Sequence, residues 1–390
     1  MGLKLASSMF RLGTETAFEV LALAKEMEHK GFRIIHFEIG EPDFDTPEHI
    51  KNAAIDALKA GFTHYTPSQG IRELREAIAD KIGEDYGVDI DPNRNIVVMP
   101  GAKPCIFAAM LALLDPGDEV IIPSPAYPIY ESIARFVGAN PILVPLREEE
   151  EFRLTVDAVV ENITSRTKMI VVNTPCNPTG SMLSASDVKG IAEVARERNI
   201  YILADEVYSK IVFETPHYSF LEEFDDNIIV VDGFSKTYAM TGWRLGYAVA
   251  NSTLIEYMTK LQINMVSCPV AFVQKAAIAA LKGPQDCVKS MVEEYRSRRD
   301  LIYDLLRKIE GVRVVKPKGA FYIFPNISSY GLKSRDLMEY LLSEAKVAVL
   351  HGTAFGEYGE GYLRFSYALS KNDIVEGLKR VSEALEKLRG

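Results

Sequence analysis

Short apolar runs alternate with helical periodicity through most of the chain. The spacing predicts strands over 96–99, 119–123, 141–145, 168–172, 201–204, 228–231 and 245–249, with helices over 102–114, 126–136 and 185–198 filling intervals between them. Upstream, Thr46 stands where a cap is needed for a helix whose first turn carries Pro47 and Glu48 and which Gly61 closes. A second helix runs from about 71 to 86 and stops before Gly87. Strands alternating with helices predict an α/β domain built on a large, mostly parallel seven-stranded sheet. After a long charged helix over 285–309 the pattern thins to apolar runs at 312–315, 321–324, 347–350 and 362–365, with helices over 334–344 and 372–388. That predicts a smaller α+β domain. The expected division is a large domain over 46–284, a small one over 285–390, and an N-terminal segment, 1–45, returning to pack on the small one.

Composition narrows the function classes. Lys plus Arg number 44 against 54 for Asp plus Glu, a net charge of −10, which argues against nucleic acid or an anionic membrane as the main partner. No apolar run reaches the ~18 residues that cross a bilayer, and residues 1–11 lack the pattern of a secretion signal. Cys105, Cys176, Cys268 and Cys287 are scattered, as expected of reduced thiols in a cytoplasmic protein. The six histidines form neither HExxH nor a cluster, so no metal centre is expected. Neither GxGxxG nor GxxxxGK[ST] occurs, which removes the dinucleotide and P-loop readings.

Three strand ends carry the chemistry. The run 228–231 delivers Gly233-Phe-Ser-Lys-Thr-Tyr-Ala-Met-Thr-Gly-Trp-Arg-Leu-Gly246, so Lys236 follows a strand's carboxyl end, where open α/β sheets bind ligands. A lysine flanked by small and aromatic residues loses hydration and becomes a nucleophilic amine suited to Schiff-base chemistry. Arg244, eight residues on, offers a planar fork for phosphate oxygens. Alone, Lys236 would be an ordinary loop lysine. The strand 201–204 ends in Asp205, with Tyr208 three residues later, and a carboxylate there holds a heterocyclic nitrogen protonated. The strand 168–172 runs into Asn173-Thr-Pro-Cys-Asn177-Pro-Thr-Gly180, a turn that leaves the Asn177 amide free.

Together these three strand ends resemble the class I/II pyridoxal-phosphate aminotransferases, the fold-type-I group, over essentially the whole chain and in the family's order. The resemblance implies pyridoxal 5'-phosphate as cofactor, bonded to Lys236, with Asp205 on its ring nitrogen, Asn177 and Tyr208 on its phenolic oxygen and Arg244 on its phosphate. It implies phosphate contacts from the Ala102 and Lys103 amides at a helix start, where free N–H groups favour anions. Tyr127 would stack on the ring. Tyr65 would reach the cofactor of a neighbouring subunit, implying a homodimer. Gly40 would touch the substrate carboxylate and Arg364 would clamp it, a task that suits a bidentate guanidinium. Tyr127 and Asn177 would also meet substrate. Some members carry a phosphate-binding serine where this chain has Gly233, which leaves Ser235 as the replacement candidate.

The implied activity is transfer of an amino group from an L-amino acid to 2-oxoglutarate, with ping-pong kinetics. A carbon–sulfur lyase or synthase of the same fold is the alternative. A non-catalytic regulator is disfavoured, because such proteins carry a DNA-binding module ahead of this pattern. The wording of the Thr-His-Tyr and Pro-Cys-Asn-Pro-Thr-Gly segments is similar to thermophile-type aspartate and aromatic aminotransferases, which favours a dicarboxylate or aromatic donor. Lys103 is either a partner for a distal carboxylate or a solvent-facing helix-start lysine.

Overall fold

The computed structural model describes residues 3–389. Its strands are β1 (Ile35–His36), β2 (Ile96–Met99), β3 (Glu119–Ser124), β4 (Asn140–Pro145), β5 (Thr167–Asn173) and β6 (Tyr201–Asp205). They continue as β7 (Ile228–Gly233), β8 (Gly246–Val249), β9 (Tyr322–Ile323), β10 (Val347–Ala348), β11 (Leu350–His351) and β12 (Leu363–Ser366). Seven of them form one sheet in the order β2-β8-β7-β6-β5-β3-β4, parallel except where β8 meets β2 and β7. The expected seven-stranded, mostly parallel sheet is therefore present. β11, β12 and β9 make a small antiparallel sheet, and β1 pairs with β10 in parallel.

The central strands are apolar on both faces because helices cover both. On β7, Ile228 and Val230 join one hydrophobic core while Ile229 and Val231 join the other. Ile202 and Leu203 divide in the same way on β6. At such depth, truncating a side chain like Leu203 to alanine costs ~2–5 kcal/mol, so the strand ends that carry polar groups rest on a stiff floor. Among the described residues no helix is long and apolar enough to cross a membrane.

Several local expectations differ from what forms. The helix Glu48–Lys59 has no side-chain cap. Thr46 instead donates its hydroxyl to the Ala239 carbonyl at 2.6 Å and accepts from Trp243 Nε1 at 2.9 Å, so a tertiary contact outcompetes the local one. The helix expected from 126 begins at Ile129, following Pro128, and ends at Val137. The apolar run 312–315 forms no strand and contributes one isolated bridge, Arg313 to Asn326. Helices Thr16–His29, Ser252–Val266 and Ala271–Lys282 were not anticipated. The N-terminal segment touches several elements. β1 pairs with β10, while Arg11 Nε donates to the Arg135 carbonyl at 2.8 Å and Gly13 N to Ser132 Oγ at 2.9 Å.

Candidate active site

The carboxyl ends of β5, β6 and β7 lie side by side, so Asn173, Asp205 and Gly233 share one edge of the sheet. β8 runs the other way, and its first residue, Gly246, is in register with Gly233. That reversal brings Arg244, two residues before β8, to the same edge as Lys236. The helix Ala102–Leu113, entered after β2, starts there too. Gly246 makes this approach possible, since a Cβ on it would lie 2.5 Å from the Ala102 nitrogen. Gly233 faces Gly246, and a Cβ on it would sit 3.1 Å from the Gly246 Cα. The position is crowded on its sheet face, and Ser235, two residues on, lines the cavity.

These elements enclose a cavity of about 490 Å³. Its lining includes Gly40, Ala102, Lys103, Tyr127, Asn177, Asp205, Tyr208, Ser235, Lys236, Arg244 and Arg364, so all the expected site residues but Tyr65 converge. Tyr65 is 88% exposed on the outer surface.

Lys236 lies on the single turn Phe234–Thr237 and its Nζ donates to the Gly40 carbonyl at 2.6 Å. Its side chain opens onto the cavity while protein surrounds the amine. Burial therefore pushes the amine down to about 8, partly offset by the Glu41 carboxylate. Asp205, buried at the cavity floor, is pushed up to about 6 by loss of hydration. Two bonds oppose that rise: Tyr130 Oη donates to its Oδ2 at 2.6 Å and Val207 N to its Oδ1 at 3.3 Å. Asp205 is consequently mostly an anion at neutral pH, near a lysine whose neutral form is far more populated than that of an ordinary lysine.

The other residues are held in pairs. The Tyr208 and Tyr322 hydroxyls are 2.8 Å apart. Asn177 N donates to Asn173 Oδ1 at 2.8 Å, fixing the turn, while Arg364 Nη1 lies 3.3 Å from Asn177 Oδ1. The Arg364 guanidinium stands 4.6 Å from the Tyr322 ring centroid and 5.1 Å from that of Phe355. Its Nη2 donates to the Glu38 carbonyl, and its Nε is buried without a partner. Arg244 Nη1 donates to the Thr241 carbonyl at 2.8 Å. Lys103 pairs with Glu15, from the segment ahead of helix Thr16–His29, and stands 5.6 Å from the Tyr127 ring centroid.

Tyr130, Tyr322 and Glu15 were missed from sequence. Tyr130 follows Tyr127 by three residues, the one local hint, yet nothing in the sequence says that it meets Asp205. Tyr322 sits inside an apolar run that reads as core. Tyr130→Phe removes a bond to a buried carboxylate, worth ~1.5–3 kcal/mol. Since that bond lowers the Asp205 pKa, the acidic limb of a kcat/KM–pH profile is expected to move up in the variant.

Comparison with known proteins fits this geometry. The family model described as aminotransferase class I and II matches residues 33–381. The chain is 45% identical over 371 residues to an aspartate aminotransferase from Pyrococcus horikoshii, covering 94% of each protein. It is 44% identical to aromatic-amino-acid aminotransferase 2 from Thermococcus litoralis, covering 91% of this chain and 92% of that one. The aspartate aminotransferase of Thermus thermophilus, solved with maleate, superposes with a TM-score of 0.94 at 36% identity, over 98% of this chain and 100% of that one. The chain belongs to the class I and II aminotransferases, and it is an aminotransferase of fold type I.

Proposed function

We propose that this enzyme binds pyridoxal 5'-phosphate at Lys236 and moves the amino group of an L-amino acid, aspartate or an aromatic one, to 2-oxoglutarate. One observation carries the reading: a single cavity unites a lysine with its amine near pH 8, a buried aspartate and a buried arginine with an unpartnered Nε. The group fits these residues. Asp205 answers a ring nitrogen, Lys236 an aldehyde, and Arg244, Ser235 and the amides of Ala102 and Lys103 a phosphate. Tyr127, which lines the cavity, would stack on the ring, and Asn177 and Tyr208 would be donors for a phenolic oxygen.

When bound, the cofactor supplies an electron sink for negative charge developing at the substrate Cα. The chain does the rest. Arg364, with Gly40 beside it, receives the α-carboxylate and so orients the Cα–H bond. Lys236, as a free amine held down to about 8 by burial, would be a base suited to taking the Cα proton near neutral pH. Asp205 stays ionised and holds the ring nitrogen's proton. The same residues serve the donor and then the oxo acid, which makes the kinetics ping-pong.

Lys103 is the cation within reach of a distal carboxylate, and an aspartate side chain would take it from Glu15. The relatives named for aspartate and for aromatic amino acids support these two donor classes. We also read the enzyme as a homodimer. Exposed Tyr65, with apolar Leu3 and Phe10 also exposed, supplies surface for a second copy and a tyrosine able to reach the partner's cavity. The test is a panel of L-amino acids with 2-oxoglutarate and the cofactor. Glutamate is expected to form fastest from aspartate or an aromatic donor. Turnover only with other donors, or oxo acid released over many turnovers without an acceptor instead of once per site, would contradict the reading.

A further inference from the structure

Just outside the cavity lies a chain of acid, imidazole and acid. His36, at the end of β1, has Nδ1 2.7 Å from Glu38 Oε1 and Nε2 3.1 Å from Glu28 Oε1, on helix Thr16–His29. The second Glu28 oxygen accepts from Lys25 at 2.7 Å. Glu38 is fully buried, and its Oε2 has no partner. Its main-chain carbonyl accepts from Arg364 Nη2. A buried carboxylate of this kind is expensive unless it is held, and among the described residues the imidazole is the one side chain bonded to it. The pocket-facing arginine thus rests on a residue whose own side chain is anchored by His36.

We propose that His36 is a positioning residue for amino-group transfer: by anchoring Glu38 it fixes the carbonyl that orients Arg364 toward the substrate carboxylate, and it ties that orientation to helix Thr16–His29. The first turn of this helix (Thr16, Ala17, Phe18) lines the cavity, so the tie links the carboxylate end of the site to the wall beside it. The inference rests on reading Arg364 as the carboxylate clamp.

The charges around the ring favour imidazolium. Its pKa is raised, first by the bond to Glu38 and further by Glu28, against burial. Among the other charged groups on the packed elements, several are engaged elsewhere. Arg33 pairs with Asp373 and Arg380 with Glu376, Lys346 bonds the Ser343 carbonyl, and β10 offers only Val347 and Ala348. With the folded pKa above the ordinary 6.5, the full hold on Glu38 exists below that value and is lost as pH rises through the folded one.

The test uses holoenzyme and the best donor of the panel. His36→Leu removes the anchor, and His36→Asn keeps a neutral donor near the Nδ1 position. His36→Leu is expected to raise KM for both donor and oxo acid about tenfold, the equivalent of one charge-assisted hydrogen bond. Its kcat should stay within about twofold and the cofactor's visible absorbance should be unchanged. His36→Asn should have a higher KM than wild type at pH 6, with the difference shrinking as pH rises and the imidazolium is lost. An unchanged KM in His36→Leu would overturn the proposal. So would a parallel fall of kcat and melting temperature in both variants, or a wild-type advantage over His36→Asn that stays the same as pH rises. Wild-type enzyme idle with every donor would instead strike the reading of Arg364 itself.

Discussion

Lys236→Ala is expected to lower kcat by at least about 10⁴-fold, the upper range for loss of a general base, because it also removes the covalent attachment point. The loss should not reflect unfolding. Lys236 makes one hydrogen bond, to Gly40, and its replacement relieves a buried amine rather than opening the core. Far-UV circular dichroism and melting temperature should therefore match wild type. The same environment sets a pH dependence. Only the neutral amine attacks an aldehyde, so uptake of pyridoxal phosphate by cofactor-free protein should quicken as pH rises toward about 8 and level off above it. An ordinary surface lysine would keep gaining rate past pH 10. Stopped-flow absorbance between pH 6 and 10 separates the two.

Arg364→Leu is the second large effect. Truncating one partner of a buried, hydrogen-bonded charge pair costs ~2–5 kcal/mol, roughly a 30-fold or greater rise in KM for donor and oxo acid alike. It also strands the Glu38 carbonyl, buried beside it. Arg364→Lys keeps the charge but loses the fork. A single ammonium cannot bond a carboxylate bidentately while also holding Glu38 and Asn177, so about tenfold of the loss should remain. Because Arg364, on β12, bonds neither Asp205 nor Lys236, cofactor absorbance should persist in both variants. Steady-state kinetics with both substrates varied would register the change.

The sheet and its chemical edge were legible for one physical reason. A central parallel strand is a short apolar run bounded by polar residues, and the bounding residue at its carboxyl end faces the ligand side. Asp205 announces itself that way, and Asn177 and Lys236 follow such strand ends by four and three residues. Asn173, which fixes the Asn177 turn, drew no notice. What could not be read were contacts made across long sequence separations. Tyr130 meets Asp205 from 75 residues away, and Glu15 meets Lys103 from 88. Thr46 had every local qualification for a cap and was claimed by Ala239 and Trp243, nearly 200 residues distant. The apolar run 312–315 had a strand's composition but found only the single bridge between Arg313 and Asn326. Local pattern decides which segments are regular, while tertiary partners decide what their polar side chains do.

Reduction of the holoenzyme with borohydride, followed by peptide mass spectrometry, tests the central claim most directly. The account predicts one modified peptide, spanning the turn after β7, with the mass of the reduced cofactor on Lys236. Label spread over surface lysines, or a clean peptide at 236 in protein that has taken up the cofactor, would contradict it.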